Sequence, residues 1–136
     1  MKAAFIILLG LSLSGVNIAS AVAETNEERL STQILRDPSP AIARRVSISG
    51  RLQWSNEDRN LYPTWAGTPA PRDYCLPVLI NQKDDLTSEA AEKLSGKNVK
   101  IYGIISFVSS DADSISINSC KQLGIHVIHM EAVSDK

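Results

Sequence analysis

Apolar and polar residues alternate most regularly over VSISGRLQW. Val46, Ile48, Leu52 and Trp54 fall on one face with Gly50, and Ser47, Ser49, Arg51 and Gln53 fall on the other. A period of two belongs to an extended strand with one face in a core and one in water. The pattern returns in NVKIYGIISFV from Asn98, where Val99, Ile101, Ile105 and Phe107 share a face around Gly103. Each segment places a glycine after two apolar positions and an aromatic four residues beyond it. Interior glycine weakens a strand, so its repetition predicts a bend or a close approach of another chain segment. The alternative is coincidence between two ordinary strands.

Shorter elements fill the intervals. CLPVLI (Cys75–Ile80) reads as a buried strand, with Pro77 placing it at an edge or bulge. SISIN (114–118) alternates with Ile115 and Ile117 inward, and IHVIHMEAV after Gly124 reads as the last strand. Between them Asp84 and Asp85 open a helix for which Thr87 is an alternative cap. Leu86, Ala90 and Leu94 share one face of it, and Gly96 supplies a stop. Residues 55–74 hold three prolines and a glycine and read as a long surface excursion, with a short strand at Tyr62-Pro63-Thr64-Trp65. Upstream, Leu30, Ile34 and Leu35 form a weak helical stripe that could lie against the domain. Asp37-Pro38-Ser39-Pro40 ends any helix there. Residues 24–43 are expected to be an N-terminal arm, with its mobility left open.

The first 23 residues follow a different rule. Met1-Lys2 gives a positive start, Ala3 to Leu13 is wholly apolar, and Ala21-Val22-Ala23 offers small residues ahead of Glu24. That is the layout of a secretory signal cleaved after Ala23. The apolar run is shorter than the roughly 20 residues a spanning helix takes. No cysteine stands at the end of the run, where a new N-terminus could carry a lipid. The mature product is expected in a periplasm or outside the cell, as one domain over 44–136.

Charge narrows the partners. The chain has 14 basic and 15 acidic residues; the signal holds only Lys2, which leaves a mature net charge of −2. Nucleic-acid binding rests on clustered Lys and Arg, and the sole basic doublet is Arg44-Arg45, so no nucleic-acid partner is expected. Nor is stable membrane insertion expected. In an exported chain the only two cysteines, Cys75 and Cys120, are expected to form a disulfide. The bond would close a 45-position interval and remove about 4 kcal/mol of unfolded-state entropy as an upper figure.

A long strand with a central glycine, further strands, a helix, and then LSGKNVKIYG running into a second glycine-centred strand resemble an OB-fold. The chain is similar to small exported bacterial OB-fold-like domains, many of uncharacterised function, over about residues 45–133. The resemblance implies a mainly β fold: a small five-stranded barrel with one short helix, open in part if the proline-rich 55–74 stretch disrupts the second strand. It also directs attention to one barrel face and its loops as the ligand surface.

Catalytic and metal signatures do not assemble. His126 and His129, the only histidines, lie three apart in a strand and are expected on opposite faces, so a shared metal would need a bulge. No Gly-x-Ser-x-Gly or Ser-x-x-Lys occurs, and Asp111-x-Asp113 lacks the remaining ligands of a calcium loop. No catalytic, cofactor or metal residue is therefore assigned. Recognition is a better reading of the 55–74 excursion, where Arg59, Tyr62, Trp65, Arg72 and Tyr74 gather aromatic and guanidinium groups favoured at binding hot spots. Equally, Trp65 and Tyr74 could tuck down to seal the barrel mouth. Arg51 and Gln53, with Ser47 and Ser49, add a polar stripe whose composition suits a carbohydrate or a protein. The expectation is a non-catalytic binding module for another envelope or secreted protein. The alternatives are a small-molecule or glycan-binding domain, and an enzyme with an unread site.

Overall fold

The computed structural model describes residues 25–65, 72–108 and 119–133. Five strands form a closed barrel in the order β1-β2-β3-β5-β4. They are β1 (Arg45–Trp54), β2 (Arg59–Tyr62), β3 (Leu76–Leu79), β4 (Asn98–Phe107) and β5 (Leu123–Ala132). Two helices accompany them: α1 (Asn26–Arg36) ahead of the barrel and α2 (Asp85–Leu94) between β3 and β4. The fold is mainly β and OB-like, and the barrel is closed rather than partly open. The expected strand at 114–118 and the 1–23 segment lie outside the described residues.

Strand length sets the pairing. β1 runs antiparallel to β4 from Arg45↔Ile104 to Arg51↔Asn98, and only its last four residues turn to β2, from Arg51↔Tyr62 to Trp54↔Arg59. β3 pairs antiparallel with β2 and parallel with β5, which closes the ring. The alternating positions fill the interior: Ile48, Leu52, Leu61, Val99, Ile101, Ile105 and Ile125 are all fully buried. Burying an apolar side chain of this size is worth about 1.5–3 kcal/mol against leaving it in water.

Both mid-strand glycines are contact sites. A Cβ on Gly50 would lie 2.6 Å from the Tyr62 carbonyl oxygen and 2.7 Å from Leu61 Cγ. One on Gly103 would run into the His126 carbonyl oxygen. The repeat therefore marks the two places where β2 and β5 press on the long strands.

Several expectations are corrected. The second strand is Arg59–Tyr62 and stops at Pro63, so it precedes the predicted Tyr62–Trp65. β3 is interior to the ring rather than an edge, and Pro77 sits where pairing with β5 has not yet begun. Phe107 leaves the barrel at the end of β4 and is 51% exposed. In α2, Leu86 is 81% exposed and Ala91 is the residue that enters the core, and Asp84 rather than Thr87 is the cap. Asp84 accepts from the Thr87 amide at 3.1 Å and from its hydroxyl at 2.6 Å, which holds the carboxyl below the usual aspartate value. Gly96 takes φ +83° just past the helix, where a side chain would be strained.

The N-terminal segment is a docked helix. Thr25 caps α1 by accepting from the Glu28 amide, and Asp37-Pro38 follow its end. Leu35 is fully buried in the barrel core, whereas Leu30 stays exposed.

Candidate functional site

Around the disulfide, the fold brings α1, the start of β3 and the start of β5 together. Cys75 precedes β3 and Cys120 precedes β5; they are bonded with a Cα–Cα distance of 6.4 Å. Cys75 is fully buried, and Cys120 is the more exposed of the two. Asn60 Oδ1 lies 3.3 Å from Cys120 Sγ, and its amide nitrogen donates to Asp58. A polar side chain is thus buried against the bridge with its own partner, as a low-dielectric site demands.

Lys121 follows directly. Its Nζ donates to three main-chain carbonyls: Cys75 at 2.7 Å, Asp73 at 2.8 Å and Leu35 at 3.0 Å. The Leu35 carbonyl belongs to the last turn of α1, where a cation also complements the helix dipole. Burial pulls the ammonium below the ordinary lysine value, and Asp73 and Asp37 push back. The three carbonyl dipoles likewise favour the charged form.

Next to this knot stand two of the sequence-predicted rings, Trp65 and Tyr74, and one cation. Trp65 meets Tyr74 edge-on at 5.3 Å and is 55% exposed. The Arg36 guanidinium lies 5.8 Å over the Tyr74 ring from the α1 side. Trp65 therefore does not seal the barrel. Arg36 was missed in the sequence because its relevance depends on α1 docking.

The remaining predicted residues form a second group on β1 and β2. Arg51 pairs with Tyr62 and lies 5.8 Å over its ring; its Nε is buried without a hydrogen-bond partner among the described residues. Gln53 pairs with Asn60. Tyr62 donates to both Asp58 oxygens, at 3.1 and 2.9 Å, and burial foremost, with that carboxylate, pushes its phenol up to about 12. Arg59 lies 4.5 Å over Trp54, opposite it in the register. Arg72 belongs to a short 3-10 turn (Arg72–Tyr74). Ser49 is not part of a free stripe: its amide donates to Ser31 on α1 and its hydroxyl to Glu27, which pairs with Lys100 at 2.7 Å.

No protein-family model matches the chain, and no curated protein does. Its reading thus rests on geometry. Open hollows flank Lys121. One of about 570 Å³ is lined by Phe107, Val108, Ser119, Cys120, Lys121 and Gln122. Another of about 460 Å³ is lined by Arg36, Pro38, Ile42, Phe107 and Leu123 among others.

The histidine expectation is corrected by a β-bulge. The β4–β5 register shifts between Tyr102 and Gly103, whose partners are His129 and Val127, so Ile128 is the extra residue. Ile125 and Met130 stay buried while His126 and His129 both face outward. His129 stacks on Tyr102 at 5.9 Å, and Phe107's carbonyl lies 3.3 Å from His126 Nε2. Among the described residues no three His, Cys, Asp or Glu converge as metal ligands. None of the described helices is long and apolar enough to cross a membrane.

Proposed function

We propose that this chain is an exported, disulfide-stapled, non-catalytic binding module that engages another envelope or secreted protein. The observation that carries the reading is the exposed Trp65 ring set edge-on against Tyr74 beside the Arg36 cation. Aromatic and guanidinium groups held rigidly at a surface lose little entropy on binding, and such groups dominate interface energetics. The 75–120 bridge is consistent with an oxidising compartment, which agrees with the signal-like start of the sequence. The partner should be captured from envelope extract with the mature protein as bait, purified, and titrated against wild type and Trp65→Ala. Loss of a hot-spot ring should weaken binding by roughly tenfold or more. Equal affinity for the two proteins would remove the surface from the account.

The hollows beside Lys121 favour a second reading, a small-molecule or glycan ligand, since their volumes fall in the range of ligand pockets, about 300–1,000 Å³. A thermal-shift screen against monosaccharides and oligosaccharides separates the readings. A dose-dependent rise with one sugar, and no protein partner, would favour the second.

A further inference from the structure

We infer that the Cys75–Cys120 bridge is a site of thiol–disulfide exchange that works a latch, with Lys121 coupling the state of the bridge to the docking of α1. The co-reactant is a dithiol reductant.

Three observations meet here. The bridge pins Cys120 beside Cys75, and the next residue sends its ammonium to the carbonyls of Cys75, Asp73 and Leu35. One side chain thus ties the bridge to the last turn of α1. Second, the two sulfurs differ in access: Cys75 is fully buried, whereas Cys120 lines the open 570 Å³ hollow. Third, α1 covers part of the barrel. β2 reaches only residues 51–54 of β1, and the Ser49 amide upstream is taken by the Ser31 hydroxyl, while Leu35 fills a slot in the core.

The chemistry balances. One thiolate of the dithiol attacks Cys120 Sγ, forming a mixed disulfide and expelling Cys75 as a thiolate that takes a proton. The second thiol of the reductant, after losing its proton, attacks its own mixed-disulfide sulfur and releases Cys120, which is protonated in turn. The protein gains two electrons and two protons, and the dithiol becomes a disulfide. With the bridge cut, the position of Lys121 is left to β5, which begins only at Leu123. A half-buried ammonium is costly unless its partners stay in place, so losing their alignment favours its return to water. The α1 carbonyl then loses its cation, and undocking bares the Ser49 edge and the Leu35 slot.

Hydrogen exchange read by mass spectrometry tests this on the folded protein, before and after dithiothreitol without denaturant. Reduction lowers the stability of the whole domain, so it should speed exchange in α1 by roughly tenfold or more beyond any acceleration the β4–β5 amides share. Lys121→Met, with the bridge intact, should loosen α1 in the same way. Three results would overturn the latch: a bridge that resists the dithiol, α1 protection unchanged by reduction or by Lys121→Met, or strands that loosen by the same factor as α1 in either experiment.

Discussion

Tyr62 offers the most direct residue-level test of the barrel's outer face. Its neutral form is favoured by burial first and then by Asp58, which places its folded value at about 12. A phenol raised above its unfolded value of roughly 10 holds its contribution fully below that pH. The contribution is lost as pH climbs from there through about 12. Ultraviolet titration should therefore show a tyrosine step near pH 12, and Tyr62→Phe should delete that step. A titration near pH 12 that Tyr62→Phe leaves unchanged would contradict the burial of this phenol and its Asp58 contact. Glycine substitution probes packing at the same scale. Gly50→Ala forces a methyl onto the Tyr62 carbonyl and Leu61, and should cost about 1–3 kcal/mol in denaturant melts. These glycines were legible in the sequence because a residue without a Cβ in an otherwise regular strand needs a spatial reason.

Among the elements, α1 is where sequence reasoning fell short. Its stripe is weak: Leu35 is buried, Leu30 is not, and a serine is the other buried residue. Besides Leu35 and the Lys121 contact, the helix is docked by a backbone amide that needs a partner, Ser49 N–H to Ser31 Oγ at 2.9 Å, and such a need leaves no hydrophobic signature. Ser31→Ala should leave that donor unsatisfied and cost about 1–3 kcal/mol, with Leu35→Ala costing about 2–5 kcal/mol, both measured by urea unfolding. If both variants melt like wild type, α1 is not part of the folded unit. The bulge at Ile128 left a trace in IHVIHMEAV, where Val127 and Ile128 stand side by side and the alternation changes phase, but a doubled apolar position alone does not say that a residue is unpaired. The long strands, by contrast, were readable because each buries one clean face.

For the whole molecule, barrel closure and the staple act together. The ring leaves β3 between two neighbours, and the bridge fastens its entry to the entry of β5. Closing a 45-residue interval is worth about 4 kcal/mol in chain entropy, a large share of the margin of a domain this size. Cys75→Ala with Cys120→Ala should therefore lower the urea midpoint sharply, by an amount equivalent to about 2–4 kcal/mol. The architecture was legible as an order of elements. The candidate surface was legible only as a list of residues, since its two groupings depend on strand register and on the approach of Arg36.

Export with a closed bridge is the claim on which the functional proposal stands, and intact mass of the protein taken from its native compartment tests it most directly. The expected species begins at Glu24, lacks the two thiol hydrogens, and does not react with an alkylating reagent after unfolding. A species that retains residues 1–23 and takes up the reagent at both cysteines would contradict it.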